Sequence, residues 1–397
     1  MRTLLARAAV LAVLSPLTAH ALTSCRLDGQ PIDLDDGRAT AGRTGMVHCV
    51  DADGVALRDI ELRDGKRMGT MRYFQKGVLV KEYVANERGN VDGFSRLYAG
   101  TPGPKNQLVR EETARNGTTI GVTRTWYPDG TLQRLAYFGD DGQEHASAGF
   151  TAQGRLSALR CFTRPVFAPD ADDAAWCGFR KAPVTVDFYS PKEVVAAHVT
   201  WDHGERRRIE NLWDNGKPQQ VVDLGDTAGT EHDFTEDGKP SKDLAWIVRP
   251  PSTPGQPGPR VVTLQKDYHE SGTLVRERRW TPTDRGADLA LDQSWYLNGQ
   301  LQAKDEFTQQ DGHAVRHGST FHDNGKLAST GTWVRLSQYD ERATGASQSF
   351  DENGRLRAET LYDAAGHVAR EREFDESGQP VRDDQVFEDG SRKAYAK

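Results

Sequence analysis

Asp-Gly and Asn-Gly dipeptides recur along the whole chain and constrain its fold more than any other feature. They are the strongest short-range signals for β-hairpins, because Gly, Asn and Asp tolerate the positive φ that tight turns require. Fourteen of them have their glycines at Gly29, Gly37, Gly54, Gly65, Gly117, Gly130, Gly142, Gly216, Gly238, Gly299, Gly312, Gly325, Gly354 and Gly390. The chain is therefore predicted to be a succession of antiparallel hairpins.

Hydrophobic residues flank the turn glycines at fixed distances. An aromatic residue lies four positions before the glycine, a Leu or Val two positions after it, and a second aromatic eight positions after it, as in Trp295, Leu301 and Phe307 around Gly299. A three-residue loop pairs the first aromatic with the Leu, so this spacing favours a type I turn closed by a left-handed glycine that forms a bulge. We also expect the second aromatic on the same buried face, because positions of even separation on a strand share a face.

The repeat and the composition together predict the fold class. From Phe350 the aromatics return every twelve residues, at Tyr362 and Phe374, as expected for consecutive antiparallel strands. Hydrophobic residues make up 36% and charged residues 27% of the chain, which is too polar for a large compact core and typical of sheets with one solvated face. We predict an all-β, antiparallel β-hairpin repeat meander, elongated and curled. The net charge of -7 argues against a nucleic-acid partner.

The first residues are typical of a secretion signal. Arg2 and Arg7 supply the positive charge, residues 8–14 form a short apolar stretch, and residues 19–21 (AHA) form a small-residue cleavage site. The apolar stretch is too short to span a bilayer, and no later segment is apolar enough to do so. We therefore expect export to the periplasm.

The cysteines bear on whether the exported protein carries a lipid. Residues 22–25 (LTSC) resemble a lipobox, which would make Cys25 the lipidated N-terminus of an outer-membrane lipoprotein. The four cysteines, however, form two close pairs, Cys25 with Cys49 and Cys161 with Cys177, which suits two disulfides in an oxidising compartment. Lipidation of Cys25 would leave Cys49 unpaired, so the cysteine count favours the soluble form over a lipid anchor.

Changes in composition along the chain suggest its domain organisation. A Pro-rich stretch, RPPSTPGQPGP, cannot form a strand or a helix and is typical of a linker. The predicted segments are a signal peptide (1–21), an N-terminal disulfide-closed cap (22–66), a first repeat lobe with a disulfide loop at 161–177 (67–248), the linker (249–260) and a second repeat lobe (261–397).

Three stretches carry a resemblance to a known family. Residues 295–301 (WYLNGQL), 318–327 (GSTFHDNGKL) and 121–132 (GVTRTWYPDGTL) resemble the MORN-variant repeats of bacterial YwqK-type antitoxins. The resemblance extends over residues 67–160 and 261–397, while residues 350–390 also look like the Tyr-Asp repeats of bacterial surface and toxin shells.

The resemblance implies a fold and a broad role. It implies a protein-binding scaffold, and exported members of such families commonly act as immunity proteins against toxins delivered by neighbouring cells. Phospholipase effectors of the type VI secretion system are the targets it suggests. The matching positions are turn and core residues, so no functional residue transfers from the family. The lipid contact that the MORN name suggests would need a basic surface, which this sequence lacks.

Residues capable of catalysis or metal binding do not form a recognisable constellation in the sequence. His313 and His317 would lie about 13 Å apart along a strand, too far for one ion together with His322. The acidic run at Asp170, Asp172 and Asp173 lacks the Gly and distant Glu of a calcium loop. There is no Gly-x-Ser-x-Gly elbow and no Gly-rich phosphate loop. We predict no catalytic residue, no cofactor and no metal, and hence no enzyme.

Two groups of residues are candidates for contact with a partner. Tyr127, Trp213 and Tyr296 lie three positions before their glycines, where exposed aromatics could anchor an interface, although packing between strands explains them equally well. The acidic loop at Asp170, Asp172 and Asp173 could touch a basic partner.

Three functional hypotheses follow from the sequence. The first is an immunity or antitoxin protein that blocks a secreted effector by steric binding. A structural or envelope-associated scaffold is the second, and a periplasmic hydrolase with an unrecognised site is the third.

Overall fold

The computed structural model describes residues 23–100, 106–252, 258–337 and 340–395, so the predicted signal peptide at 1–21 lies outside the described residues. Nearly all regular structure is β-strand. The first twelve strands are β1 (Ser24–Leu27), β2 (Gln30–Pro31), β3 (Gly45–Val50), β4 (Ala56–Arg63), β5 (Lys66–Gln75), β6 (Val78–Ala85), β7 (Val91–Tyr98), β8 (Leu108–Arg115), β9 (Thr118–Trp126), β10 (Leu132–Phe138), β11 (Glu144–Phe150) and β12 (Leu156–Arg160). Two four-residue helices accompany the strands, α1 (Gly37–Thr40) and α2 (Asp173–Trp176).

The remaining strands follow in the same manner. They are β13 (Val184–Tyr189), β14 (Val195–Asp202), β15 (Glu205–Leu212), β16 (Pro218–Leu224), β17 (Ala228–Phe234), β18 (Pro240–Val248), β19 (Arg260–Tyr268), β20 (Leu274–Thr283), β21 (Gly286–Trp295), β22 (Leu301–Gln310), β23 (His313–Phe321), β24 (Leu327–Arg335), β25 (Glu341–Phe350), β26 (Leu356–Tyr362), β27 (Val368–Phe374), β28 (Pro380–Val386) and β29 (Arg392–Ala394).

The strands form two antiparallel sheets. In the 12-stranded sheet, β3 to β12 lie side by side in chain order, and β1 is inserted between β2 and β3. The 17-stranded sheet runs from β13 to β29 without a crossover. Both orders are open, because the first and last strands of neither sheet pair with each other. The predicted all-β hairpin meander is confirmed.

The bulged three-residue turn predicted from the spacing is present. At Gly299, Trp295 pairs with Leu301, the Tyr296 N–H donates to Gln300 O at 2.9 Å, and the Gly299 N–H donates to Tyr296 O at 2.9 Å. Gly299 has φ 85°, the left-handed conformation that closes such a turn. Nine of the fourteen dipeptides form this turn, at Gly54, Gly130, Gly142, Gly216, Gly238, Gly299, Gly325, Gly354 and Gly390.

The other five dipeptides depart from the prediction. Asp28, Asp64, Asn116 and Asp311 have positive φ like the glycines that follow them, so these four pairs form two-residue turns, as the pairing of Gln310 with His313 shows. A two-residue turn with two left-handed residues matches the twist of the flanking strands, and Asp-Gly and Asn-Gly suit it as well as they suit the bulged turn. The fifth dipeptide is not a turn at all, because Gly37 begins α1 and Asp36 caps it.

The expectation that all the rings share one face is wrong. Leu301 pairs with Trp295, but Ala303 pairs with Ser294, so an extra residue lies between the two pairs. Since Trp295 and Ser294 point to opposite faces, Leu301 and Ala303 do too, and Phe307 lies on the face of Ala303. Each bulged hairpin of the twelve-residue repeat shows the same shift, which places Tyr362 on the face opposite Phe350 and Phe374. Neither face of the sheet is a simple apolar core.

The chain divides into two units at a place that composition did not indicate. Of the described residues, those up to 162 together with 166–171 form the first unit, and 163–165 together with those from 172 onward form the second. The Pro-rich stretch is not a linker between lobes, because β18 and β19 on either side of it pair up to Val248 and Arg260 within one sheet. The predicted cap at 22–66 is not separate either, since β3 pairs with β4 and β4 with β5.

A hydrophobic cluster occupies the N-terminal end of the first unit. Val47, Ile60, Leu62 and Met71 are buried there together with Cys49. Cys49 is bonded to Cys25, its direct partner across β1 and β3. Cys161 and Cys177 are disulfide-bonded as well. Two disulfides indicate an oxidising, extracytoplasmic environment.

Candidate protein-interaction surfaces

A row of ionisable side chains crosses the first unit, and their charges alternate in sign from Asp59 to Arg124. Each member of the row is the direct cross-strand partner of the next, in the order Arg26, His48, Asp59, Arg72, Glu82, Arg96, Glu111 and Arg124. Directly opposed residues of an antiparallel pair lie on one face within reach of each other, so alternating signs stabilise the register. We call this row the charge ladder.

Ion pairs connect most of the charge ladder. Arg72 and Arg96 lie 3.1 and 3.6 Å from the carboxylate of Glu82, and Arg96 lies 2.7 Å from Glu111. Arg124 lies 3.5 Å from Glu111, which continues the row towards β9. The paired charges hold each other in fixed positions while the arginine stems stay partly open to solvent.

Glu82 is the most enclosed member of the charge ladder. Only 8% of the residue is exposed, and besides the two arginines it accepts a hydrogen bond of 3.0 Å from the Tyr98 hydroxyl. Burial raises the pKa of Tyr98, and the hydrogen bond to Glu82 raises it further. A buried carboxylate needs compensating partners, and here it has two hydrogen-bond donors, Arg72 and Tyr98, and an ion pair with Arg96.

The second unit carries a corresponding but less regular row. It joins direct cross-strand partners from Asp187 in β13 to Asp383 in β28. His232 and Asp243 of this row lie 2.7 Å apart, and Asp243 also accepts a 2.6 Å hydrogen bond from the Tyr268 hydroxyl. Burial and the Asp243 carboxylate both raise the pKa of Tyr268. Polar groups therefore line the same face as the tyrosine ring, because partners in a pair share a face.

The three aromatic candidates for partner contact all make the same internal hydrogen bond. All three side chains are half-buried. Each donates a hydrogen bond to a backbone carbonyl of the next turn at the same end of the sheet, and the carbonyl belongs to the residue four positions before that turn's glycine. The bonds are Tyr127 to Phe150 O at 2.9 Å, Trp213 to Phe234 O at 3.3 Å and Tyr296 to Phe321 O at 2.9 Å. The residue three before the glycine thus fastens one turn to the next. Whether the rings also contact a partner stays a prediction.

The acidic run does not form one cluster. Asp170 belongs to the first unit and forms a 2.6 Å ion pair with Arg124, which extends the charge ladder beyond β9. Asp172 caps α2 by accepting from the Ala175 N–H at 3.2 Å and pairs with Arg180 at 2.8 Å. Asp173 is buried in the first turn of α2. The side chains of Asp170 and Asp172 are engaged within the chain, and their contact with a basic partner stays a prediction.

The clustered histidines are spread over separate contacts. His317 Nδ1 lies 3.1 Å from the Thr332 hydroxyl, and His322 Nε2 lies 3.0 Å from Phe350 O. His322 is three positions before Gly325, so it fastens turns as Tyr296 does. Among the described residues, no group of three His, Cys, Asp or Glu side chains is arranged to hold a metal ion.

The charge ladder is not among the features predicted from the sequence. The sequence does contain the information, because the members of the charge ladder become cross-strand partners once every turn is assigned to the two-residue or the three-residue type. Asp-Gly and Asn-Gly occur in both turn types, so the dipeptides alone do not give that assignment.

Comparisons with known proteins identify no family. No family model matches the chain, and no curated protein matches it. Among solved structures, the crystal structure of TcdB2-TccC3-Cdc42 is similar over 87% of this chain and 18% of that chain, at 13% identity and a TM-score of 0.18. TcdB2-TccC3-TEV gives 93% and 21% coverage at 13% identity and a TM-score of 0.18. The Photorhabdus luminescens Tc holotoxin pore with mutation TccC3-D651A gives 93% and 23% at 10% identity and 0.15.

The chain spans less than a quarter of each of these three structures' chains. Their TM-scores are too low to support an argument about fold or function. In the described part of the chain, no helix is both long enough and apolar enough to cross a membrane.

Proposed function

We propose that this chain is an exported protein-binding scaffold that neutralises a toxic effector by covering part of its surface. The observation that carries the proposal is the extent of the second unit's sheet. Seventeen strands at about 4.8 Å spacing extend roughly 75 Å along the ladder, and strands of seven to ten residues are about 23 to 33 Å long. One face therefore offers on the order of 2,000 Å², well above the roughly 800 Å² that each partner of a stable complex contributes.

The polar lining of the sheets supports binding through a broad surface. Charged side chains in the charge ladder are already held by their neighbours, so they lose little conformational freedom when a partner docks. Fixed charges of alternating sign favour one register of a complementary surface.

The cysteines support a soluble, periplasmic form. The sulfur of Cys25 is bonded to Cys49, and a lipid anchor would need that same sulfur. Together with the signal sequence expected at 1–21, the two disulfides fit a chain that folds after export.

The effector class follows from the resemblance to antitoxin repeats. We propose a secreted toxin, with phospholipases of type VI secretion as the first candidates. The acidic net charge of -7 would attract a cationic effector surface.

Co-purification and protection test this proposal. The full chain is expressed in the periplasm of a sensitive strain together with a candidate effector, a secreted phospholipase of the type VI class. We expect a stable complex and survival of the cells. A matched version without residues 1–21, retained in the cytoplasm, should give no protection. If the exported chain neither binds the effector nor protects, the proposal is overturned.

A further inference from the structure

Two neighbouring strands of the second unit separate before they end. β21 and β22 pair from Trp295 and Leu301 up to Leu291 and Glu306, and the pairing stops there. Both strands continue, β21 back to Gly286 and β22 on to Gln310. Over these stretches β21 pairs only with β20, and β22 pairs only with β23. Each strand therefore has an unpaired edge on the side of the other.

A β-bulge explains why the strands separate. Leu291 pairs with Arg279, whereas Leu289 pairs with Trp280, so Ala290 is an extra residue in β21. A bulge bends its strand and increases the local twist. The tip of the β20–β21 hairpin consequently turns away from β22.

A cavity of about 600 Å³ occupies the space between the separated strands. It is lined by four consecutive residues of β21 (287–290) and three consecutive residues of β22 (307–309), together with Thr281 and Thr283 of β20, Ala314 and Arg335. Consecutive strand residues point to opposite faces, so a cavity that touches runs of them reaches the edges of both β21 and β22, and the two threonines show that it also extends over one face of the β20–β21 hairpin. We call it the edge cleft.

Backbone groups of β21 point into the edge cleft. Ala287 pairs with Pro282, and because proline has no N–H this pair cannot exchange two hydrogen bonds. The N–H and C=O of Ala287 therefore point away from β20. Hydrogen-bonded and non-hydrogen-bonded pairs alternate along the strands. The backbone N–H and C=O of Leu289, two residues further along β21, therefore also point away from β20.

We propose that the edge cleft receives an extended segment of a protein partner, which pairs as an added strand with β21. This inference rests on the proposed function and names how the partner is held. Unpaired N–H and C=O groups along a strand edge are complementary to another peptide backbone, and strand addition is a common mode of peptide recognition. Ala287, Ala290 and Ala314 leave room for the segment's backbone, while Leu289 and Phe307 offer apolar contacts to its side chains.

The test uses a phage-displayed library of random linear peptides selected on the full, disulfide-intact chain. We compare Ala287→Pro, which removes the N–H that points into the edge cleft, with Ala287→Val, which keeps it. Because one backbone hydrogen bond is worth about 1.4 kcal/mol at the upper end, enriched peptides should bind Ala287→Pro about tenfold more weakly. They should bind Ala287→Val within about twofold of the wild type, and bound peptide should slow amide exchange at Ala287 and Leu289.

Control measurements separate loss of binding from loss of folding. Circular dichroism and thermal melting check Ala287→Pro, and Leu289→Glu is a second variant that places a charge in the edge cleft without a proline. It should weaken the same peptides at least as much.

Several outcomes would overturn the proposal. These are the absence of any enriched peptide, equal binding to the wild type and Ala287→Pro, or exchange protection only outside residues 286–310. If the effector binds the wild type and Ala287→Pro equally, the edge cleft is not its binding site, but the proposed scaffold function still holds. If the effector binds neither, the proposed scaffold function is itself overturned.

Discussion

At the scale of single residues, Glu82 is the most buried member of the charge ladder. Replacing Glu82 with Ala leaves Arg72 and Arg96 facing each other and removes the acceptor of the Tyr98 hydroxyl. We expect a loss of roughly 2 to 4 kcal/mol in the free energy of unfolding, because breaking an enclosed ion pair leaves uncompensated charge. Chemical denaturation of the purified variant measures it.

The matched control for Glu82 is an exposed glutamate. Glu87 pairs with Lys66 at 3.0 Å, and 60% of its side chain is exposed. Glu87→Ala should change stability by less than about 0.5 kcal/mol. Equal losses in the two variants would show that the enclosed position of Glu82 is unimportant.

The turn-fastening tyrosines give a second prediction. Tyr296→Phe removes one hydrogen bond to Phe321 O and should cost about 1 kcal/mol of stability, measured by thermal or urea unfolding. Binding of a partner should not change if the hydroxyl serves only the turn. Unchanged stability together with weaker binding would instead identify Tyr296 as a partner contact.

At the scale of elements, the bulged turn depends on the left-handed glycine. Gly299 and Gly286 both have open space where a side chain would go, but only Gly299 has a φ in the left-handed region, at 85°. Gly299→Ala should therefore destabilise the chain by about 1 to 2 kcal/mol, whereas Gly286→Ala should be close to neutral. Differential scanning calorimetry of both variants tests this, and equal melting temperatures would contradict it.

The turns also show how far sequence reasoning reaches. The spacing of Trp295, Gly299 and Leu301 predicts the bulged turn because it is a local property of one hairpin. The same reasoning does not separate Asp311-Gly312, which forms a two-residue turn, because the two turn types favour the same dipeptides. The extra residue that moves Phe307 to the other face has no signature of its own, since it lies inside an ordinary strand sequence.

At the scale of the whole molecule, carboxylates with lowered pKa values make stability depend on pH. A hydrogen bond from the Thr70 backbone N–H lowers the pKa of Glu61, Arg316 lowers that of Glu341, and Arg370 lowers that of Asp383. The unfolded chain binds protons at these groups at a higher pH than the folded chain does. Their contribution is therefore complete above the ordinary carboxylate pKa of about 4 and is lost as pH falls through the lower folded values.

Melting temperatures between pH 7 and pH 2.5 check this dependence. We expect little change above about pH 5 and a steep fall below about pH 4. Arg370→Gln should flatten the fall, because Asp383 then titrates closer to its ordinary pKa. A melting temperature that rises on acidification would contradict the assignment.

The division of the whole chain and its candidate surfaces were the least predictable features. The stretch from Arg249 to Pro259 looks like a linker because composition describes only the local chain, whereas the pairing of Val248 with Arg260 is set by the sheet around it. The position of Tyr296 before Gly299 suggests a partner contact, whereas the carbonyl that it bonds, Phe321 O, lies two strands further along. The edge cleft depends on a bulge at Ala290 and on pairing that ends at Leu291, neither of which is encoded in a motif.

The order of strands in both sheets has a consequence for how the chain reaches its folded state. Among the described strands, nearly every one pairs with the strand before it and the strand after it, and β1 differs in lying between β2 and β3. Chains with mostly local pairing assemble quickly, because only short loops must close at each step. A polypeptide threaded through a membrane pore emerges one segment at a time, so each new hairpin can add to the growing edge before the next has crossed. Such a chain could gain or lose whole hairpins in evolution without changing the rule by which it assembles.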